Sequence, residues 1–324
     1  METRNNINWK IAVVVPCYKE KDHIIDVIKN VPGNVDHIFC IDDACPEQTG
    51  QYVKDNCQDP RVHVIQHSTN QGVGGAMITG YRASLEAGVD IVLKIDGDGQ
   101  MDPELIPRFI NPIINGYSDY TKGNRFFDVE KISSMPKIRL LGNAVLSFMS
   151  KLSTGYWRLF DPNNGYTAIH ANVLKLLPLN KIHKGYFFES DMLFRLNIIR
   201  AVVTDIPMNS LYGNESSHLS IRDSLFTFSV NHTKNFIKRL IYNYFIRDFS
   251  IASIELVLGP GMIFFGIFFG SIKWLESVQA TEAATAGTVM LAALPVIVGL
   301  QLALSALSYD IDNAPRIPLH PSLD

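Results

Sequence analysis

Ile91-Val92-Leu93-Lys94-Ile95-Asp96-Gly97-Asp98-Gly99-Gln100 is the stretch on which the architecture of this chain turns. A short apolar run of this length, rich in β-branched residues and closed by a polar turn, reads as a strand buried on both faces. In an extended backbone alternate side chains point the same way, so Asp96, Asp98 and Gln100 would present three oxygens on one side. Gly97 and Gly99 would leave room for a ligand there. A hard divalent cation, Mg2+ or Mn2+, suits such a face, because it is held by one or two carboxylates together with the phosphates of a substrate. A calcium loop of the helix-loop-helix type is excluded: its sixth position is Met101 where Gly is required, and its twelfth is Pro107 where Glu is required. The rival reading is a solvated turn before a helix expected near Glu104 to Asn115.

Outward from this strand, residues 11–15, 37–41 and 62–66 are further short β-branched runs, and helical patterns fill the gaps. Ile24, Ile25, Val27, Ile28 and Val31 share a stripe behind Asp22, and Met77, Tyr81 and Leu85 recur every four residues. Strand and helix in this rhythm predict an α/β fold with a mostly parallel sheet, whose ligands bind at the carboxyl ends of the strands. Polar motifs sit at those ends: Pro16-Cys17-Tyr18-Lys19-Glu20, Asp42-Asp43, and Asn70-Gln71-Gly72-Val73-Gly74-Gly75-Ala76. A dinucleotide fingerprint is excluded, since Met77 stands where its third Gly belongs and the loop follows the third strand. Singly each loop is as good a turn as a binding element; jointly they favour a nucleotide crevice.

The chain has 324 residues, 47% of them apolar and 19% charged, the balance of a globular protein with an apolar appendage. That appendage is C-terminal. Residues 256–272 and 283–307 carry no charge, lengths that suit two transmembrane helices within 250–310. The first could start at Ser250, with Glu255 near the interface, and Gly259-Pro260-Gly261 predicts a kink. Lys234, Lys238, Arg239 and Arg247 precede the first span, whereas the loop between spans sets Lys273 against Glu276 and Glu282. This bias places both termini and the catalytic part on the cytoplasmic side. No secretory leader is expected, because residues 11–15 are too short for one and Pro16 follows at once.

A net charge of −3 without a basic stripe argues against nucleic acid as a partner. Cys17, Cys40, Cys45 and Cys57 form no Cys-x-x-Cys pair and read as ordinary thiols in a reducing compartment. Before the spans, Phe228, His232, Phe236, Ile237, Leu240, Ile241, Tyr244 and Phe245 form an apolar stripe beside the cations, which reads as a helix in the headgroup plane or as a core helix. The expected organisation is a catalytic domain over 1–222, interfacial helices over 223–249, two transmembrane helices over 250–310 and a cytoplasmic tail over 311–324.

Six ordered pieces spread over residues 11–200 together resemble the inverting family-two glycosyltransferases of GT-A fold, in particular the membrane-bound polyprenyl-phosphate glycosyltransferases. They are Val13 through Glu20, Ile41-Asp42-Asp43, Asn70 through Ala76, Asp96 through Gln100, Lys122-Gly123-Asn124-Arg125 and Phe188-Glu189-Ser190-Asp191. The resemblance implies a UDP- or GDP-linked sugar donor lying over Pro16, Tyr18, Glu20 and Asp42, with Asp43 and Gly74 also at the donor. It implies a diphosphate on a metal held by Asp96, Asp98 and Gln100. Here the chain has Ala44-Cys45-Pro46 where the family has Gly-Ser or similar, and Glu189-Ser190-Asp191 where the wider family has Glu-Asp.

A hydroxyl acceptor would need a general base. A polyprenyl phosphate arrives anionic, since its second pKa is about 6, and needs cations to position it. Arg125 and Arg139 are the candidates for that phosphate. Asp191 is the candidate base for a hydroxyl acceptor, or an orienting acid otherwise, and Asp98, Arg125 and Asp191 form the expected catalytic set. The alternatives are transfer to a hydroxyl of a lipid or polysaccharide, and a non-catalytic membrane scaffold. The membrane itself is an expected partner, and a homo-oligomer is compatible with the sequence.

Overall fold

A computed structural model of the chain describes residues 8–126, 137–208 and 221–323, with the side chains of 137–141, 143 and 221–225 outside that description. Strand β1 (Ile11–Cys17) and helix α1 (Ile24–Lys29) open it, followed by β2 (His37–Asp42), α2 (Thr49–Asn56), β3 (Val62–Gln66), α3 (Val73–Glu86) and β4 (Ile91–Lys94). Next come α4 (Ile106–Ile114), β5 (Tyr120–Asn124), α5 (Lys137–Thr154), β6 (Thr167–His170) and α6 (Ala171–Lys175). Helix α7 (Phe188–Ile198) and strand β7 (Val203–Pro207) complete a seven-stranded sheet of order β3-β2-β1-β4-β6-β5-β7. Only β6 runs antiparallel to its neighbours.

The period of two in β1 sorts its side chains between two cores. Ile11, Val13 and Val15 pack with Ile24, Ile28, Phe109 and Ile110, while Ala12 and Val14 pack with Ala76, Met77, Tyr81 and Leu193. Helices therefore cover both faces, which explains why the strands read as continuous apolar runs. Because β6 alone is reversed, the loops after β1, β2, β4 and β5 and the loop entering β6 all meet at one edge of the sheet.

The chain divides into two compact units, one holding residues up to Phe236 and again from Pro315, the other being Ile237–Ala314. The final residues were expected as a tail; in the structure they belong to the first unit. The buried carboxylate of Asp119, just before β5, accepts hydrogen bonds from the backbone N–H groups of Leu319 at 2.8 Å and His320 at 2.9 Å, and from Val202 at 2.8 Å. His320 Nδ1 lies 2.9 Å from the same carboxylate, and its ring stacks on His170.

The second unit is a helical hairpin. Helices α9 (Ile251–Ala280) and α10 (Ala286–Asp312) are 30 and 27 residues long, about 40 to 45 Å each, ample for a bilayer core. Most of their apolar side chains point outward, including Phe264, Phe268, Ile297 and Leu304. Gly259 lies where the helices touch: a Cβ there would sit 3.0 Å from the Gly299 carbonyl oxygen, and one at Gly299 would sit 2.7 Å from the Gly259 carbonyl oxygen. Small residues at such a crossing let two backbones approach. Gly299→Val is accordingly expected to cost about 1–3 kcal/mol through overpacking, read as a lower unfolding temperature in detergent.

Helix α8 (Ile221–Ile241), before the hairpin, is inverted relative to a soluble helix. Its buried positions are His232, Asn235 and Arg239, whereas Ile237 and Ile241 are about half exposed. Arg239, one of the cations beside the apolar stripe, is 1% exposed and forms a two-pronged pair with Asp310, at 2.6 and 2.9 Å. A fork geometry of this kind matches a carboxylate, and it holds α8 to α10 within the second unit.

Candidate active site

The strand order reverses beside β1, whose neighbours are β2 and β4, and this switch point is where sheets of this kind bind ligands. Pro16 is still within β1, paired with Ile41, and Tyr18 beyond it is exposed. Lys19 adopts a left-handed conformation, φ 64°, and its N–H donates to Cys45 Sγ at 3.1 Å, tying the loop after β1 to the loop after β2. The loop after β4 packs on the loop after β1: a Cβ at Gly97 would lie 3.4 Å from the Glu20 Cβ.

Asp42 and Asp43 brace these loops from beneath. Asp42 accepts from the Cys45 N–H at 2.7 Å and the Gly50 N–H at 2.6 Å. Asp43 accepts from the N–H groups of Gln71 at 2.8 Å and Gly72 at 2.7 Å and meets His67 Nδ1 at 2.7 Å. Both carboxylates are buried. Gly74 likewise has a structural partner: its N–H donates to the Lys184 carbonyl at 2.7 Å, and a Cβ there would clash with the His183 carbonyl oxygen. The glycine-rich loop thus joins the N-terminal half of the sheet to the segment entering α7.

Strand β4 stops at Lys94, so the alternation expected through the acidic triplet gives way to a turn, with Gly99 at φ 75°. Within that turn Asp98 accepts the Gln100 N–H at 2.9 Å. Asp96 is set differently: Oδ1 lies 2.7 Å from Lys94 Nζ, and Lys94 Nζ lies 3.3 Å from Glu189 Oε1 on α7. Burial alone would lower the Lys94 pKa, but the charges of Asp96 and Glu189 outweigh it and hold the ammonium above its ordinary value. Burial pushes the Glu189 carboxyl up, and Lys94 only partly offsets this.

Asp191 is buried and saturated. Its Oδ2 accepts from the His183 N–H and from Arg195 Nε, each at 2.9 Å, and its Oδ1 accepts from Asn235 Nδ2 at 3.1 Å. Glu189, two residues earlier on α7, is the carboxylate that meets Lys94 beside the acidic triplet. Arg125 grips Asp161 with Nε and Nη2 at 2.6 and 2.7 Å, yet its side chain stays 37% exposed at the edge where the loops meet. Burial would raise the Asp161 carboxyl, but the Arg125 guanidinium holds it below the usual range. Arg139 lies on α5, and its side chain is outside the described residues.

Sequence reasoning missed Lys94, Asp161 and Gly165. Lys94 was visible as the one charge in an apolar run. Asp161-Pro162-Asn163-Asn164-Gly165 has turn composition, and in the structure it closes over the triplet: a Cβ at Gly165 would clash with Lys94 Nζ and lie 2.6 Å from Asp96 Oδ2.

Oxygen donors at this edge are chemically suited to a magnesium-like ion. Among the described residues no group of three or more His, Cys, Asp or Glu side chains gathers into a metal site complete by itself. That donor set fits an ion whose remaining ligands come from a diphosphate.

Residues 12–177 match the family model described as Glycosyl transferase family 2. A UDP-N-acetylglucosamine–dolichyl-phosphate N-acetylglucosaminyltransferase of Methanococcus voltae is 31% identical over 220 residues, 64% of this chain and 87% of that one. An undecaprenyl-phosphate mannosyltransferase of Micrococcus luteus is 30% identical over 203 residues, 61% of this chain and 82% of the relative. The fold is similar to that of glucosyl-3-phosphoglycerate synthase from Mycobacterium tuberculosis, solved with Mn2+, UDP-glucose and phosphoglyceric acid. That likeness has a TM-score of 0.53 at 19% identity, covering 71% of this chain and 79% of the other. The expected GT-A architecture and the family resemblance are both borne out.

Proposed function

The chain belongs to glycosyl transferase family 2, and on that premise we propose that it moves a sugar, with inversion, from a nucleotide-sugar donor to a polyprenyl phosphate. The activities for which the two relatives are named support this class of donor and acceptor. The observation that carries the choice of acceptor is the state of the carboxylates on α7. Asp191 has three hydrogen-bond donors around it and Glu189 is paired with Lys94, so neither is disposed to take a proton from a hydroxyl. A phosphate needs no such help.

In this reading the donor lies in the crevice over Pro16, Tyr18 and Glu20, while Asp42, Asp43 and Gly74 act from behind by holding the loops. Asp98, Asp96 and Gln100 would hold the divalent ion, Mg2+ or Mn2+, which neutralises charge on the diphosphate when bound. Arg125, fixed in orientation by Asp161, presents its exposed edge to the acceptor phosphate, with Arg139 proposed as its companion. Attack is in line on the anomeric carbon, and the nucleoside diphosphate leaves. Asp191 orients α7 and takes no proton.

Membrane placement belongs to the same proposal. The outward apolar faces of α8, α9 and α10 support insertion, and the return of the chain to the first unit at Pro315 supports an even number of crossings. Lys234, Lys238 and Arg247 outnumber the cations at the far end of the hairpin, where Lys273 near the end of α9 is paired with Glu276 at 2.7 Å, which supports a cytoplasmic catalytic unit.

The test is to offer purified protein labelled UDP- and GDP-sugars with either polyprenyl phosphate or the free polyprenol. Label entering the lipid phase with the phosphate alone is expected; transfer to the polyprenol alone would reject the reading. For Asp191→Asn the expected result is a partial loss of turnover, about tenfold, from a disturbed α7. Near abolition would mean that Asp191 is a base and the acceptor a hydroxyl.

A further inference from the structure

We propose that Lys94 is a positioning residue that keeps one oxygen of Asp96 occupied, so that a divalent ion binds this site only in company with the donor diphosphate. The inference rests on the donor-site reading above and deepens it. Lys94 is 1% exposed and lies between two carboxylates, Asp96 Oδ1 at 2.7 Å and Glu189 Oε1 at 3.3 Å. Gly165 packs against its ammonium so closely that a single added carbon would clash with Nζ. A cation fixed against Asp96 competes with and repels a second cation at the same oxygen. What the protein then offers is the other oxygen of Asp96, the carboxylate of Asp98 and the amide oxygen of Gln100, too few to dehydrate a dication unaided. The two negative charges missing from such a site are those a diphosphate brings.

Lys94→Met alone would leave Glu189 buried without a cation, so the informative variant is Lys94→Met with Glu189→Gln. It removes one charge of each sign, keeps the formal charge of the cluster unchanged, and leaves no unpaired buried ion. Lys94→Gln with Glu189→Gln carries the same test with a pair able to hydrogen-bond. The measurement is Mn2+ binding to the purified full-length protein, followed by the paramagnetic resonance of free Mn2+, alone and with UDP or GDP. Unfolding temperature serves as the control for folding.

Wild-type protein is expected to bind Mn2+ weakly alone and about tenfold or more tightly with a nucleoside diphosphate. In the double variants the affinity without nucleotide should rise about tenfold, and the gain from adding nucleotide should shrink. Folded double variants with wild-type Mn2+ affinity would overturn the role of Lys94 while leaving the donor site standing. Wild-type protein that binds no Mn2+ even with either diphosphate would overturn both.

Discussion

Asp98→Ala is expected to lower sugar transfer by about 10²–10³-fold, the scale found when one group that stabilises transition-state charge is removed. The fold should survive. Asp98 is half-buried in a turn, and its side chain accepts from the N–H of Gln100 two residues on. Asp96 is the poorer test, because removing it strands the buried ammonium of Lys94 beside Glu189 alone. Turnover of the purified variant against its unfolding temperature separates the two roles. Full activity in a folded Asp98→Ala protein would remove Asp98 from the donor site.

Asp119→Ala is expected to be the most destabilising single change in the first unit, costing about 3–5 kcal/mol, because it leaves several buried donors without an acceptor. Those donors are the N–H groups of Val202, Leu319 and His320 and the ring of His320, so the loss falls on the seam that returns the C-terminal segment to the sheet. Carboxypeptidase digestion should then shorten the chain from its end while wild-type protein resists. Asp119→Asn, which retains one acceptor oxygen, should lose less. Unchanged unfolding and digestion in Asp119→Ala would show that the seam contributes nothing.

The same carboxylate sets a pH dependence. Burial alone would raise its pKa, but the hydrogen bonds from His320, Val202 and Leu319 outweigh burial and hold it below the usual value. A depressed folded value means that the stabilisation is present above the unfolded pKa of about 3.9 and is lost as pH falls through the lower folded value. Release of the C-terminal segment is therefore expected on acidification below about pH 4, and not on raising the pH.

Much of the fold was legible because local pattern and tertiary environment agree. The apolar runs became β1 to β4, the stripe behind Asp22 became α1, and the polar strand ends gathered at one edge, as a parallel sheet requires. The two uncharged stretches became the hairpin helices for the same reason, length and composition sufficing to specify them. Partners distant in sequence were not legible. Nothing near Arg125 in the chain shows that Asp161 holds its fork, nothing near Arg239 shows that Asp310 lies opposite it, and the triplet reads as extended until its strand ends at Lys94.

By itself the sequence determined the class of fold, the acidic loop at the end of β4, the family and the two apolar helices, all of them set by residues near one another in the chain. Only the tertiary structure decided that Glu189 lies beside the acidic triplet while Asp191 is locked in place, that Lys94 sits between Asp96 and Glu189, and that residues 315–323 close on Asp119. Such choices depend on which buried charge meets which partner, and a charge that leaves water must find one wherever in the chain it lies.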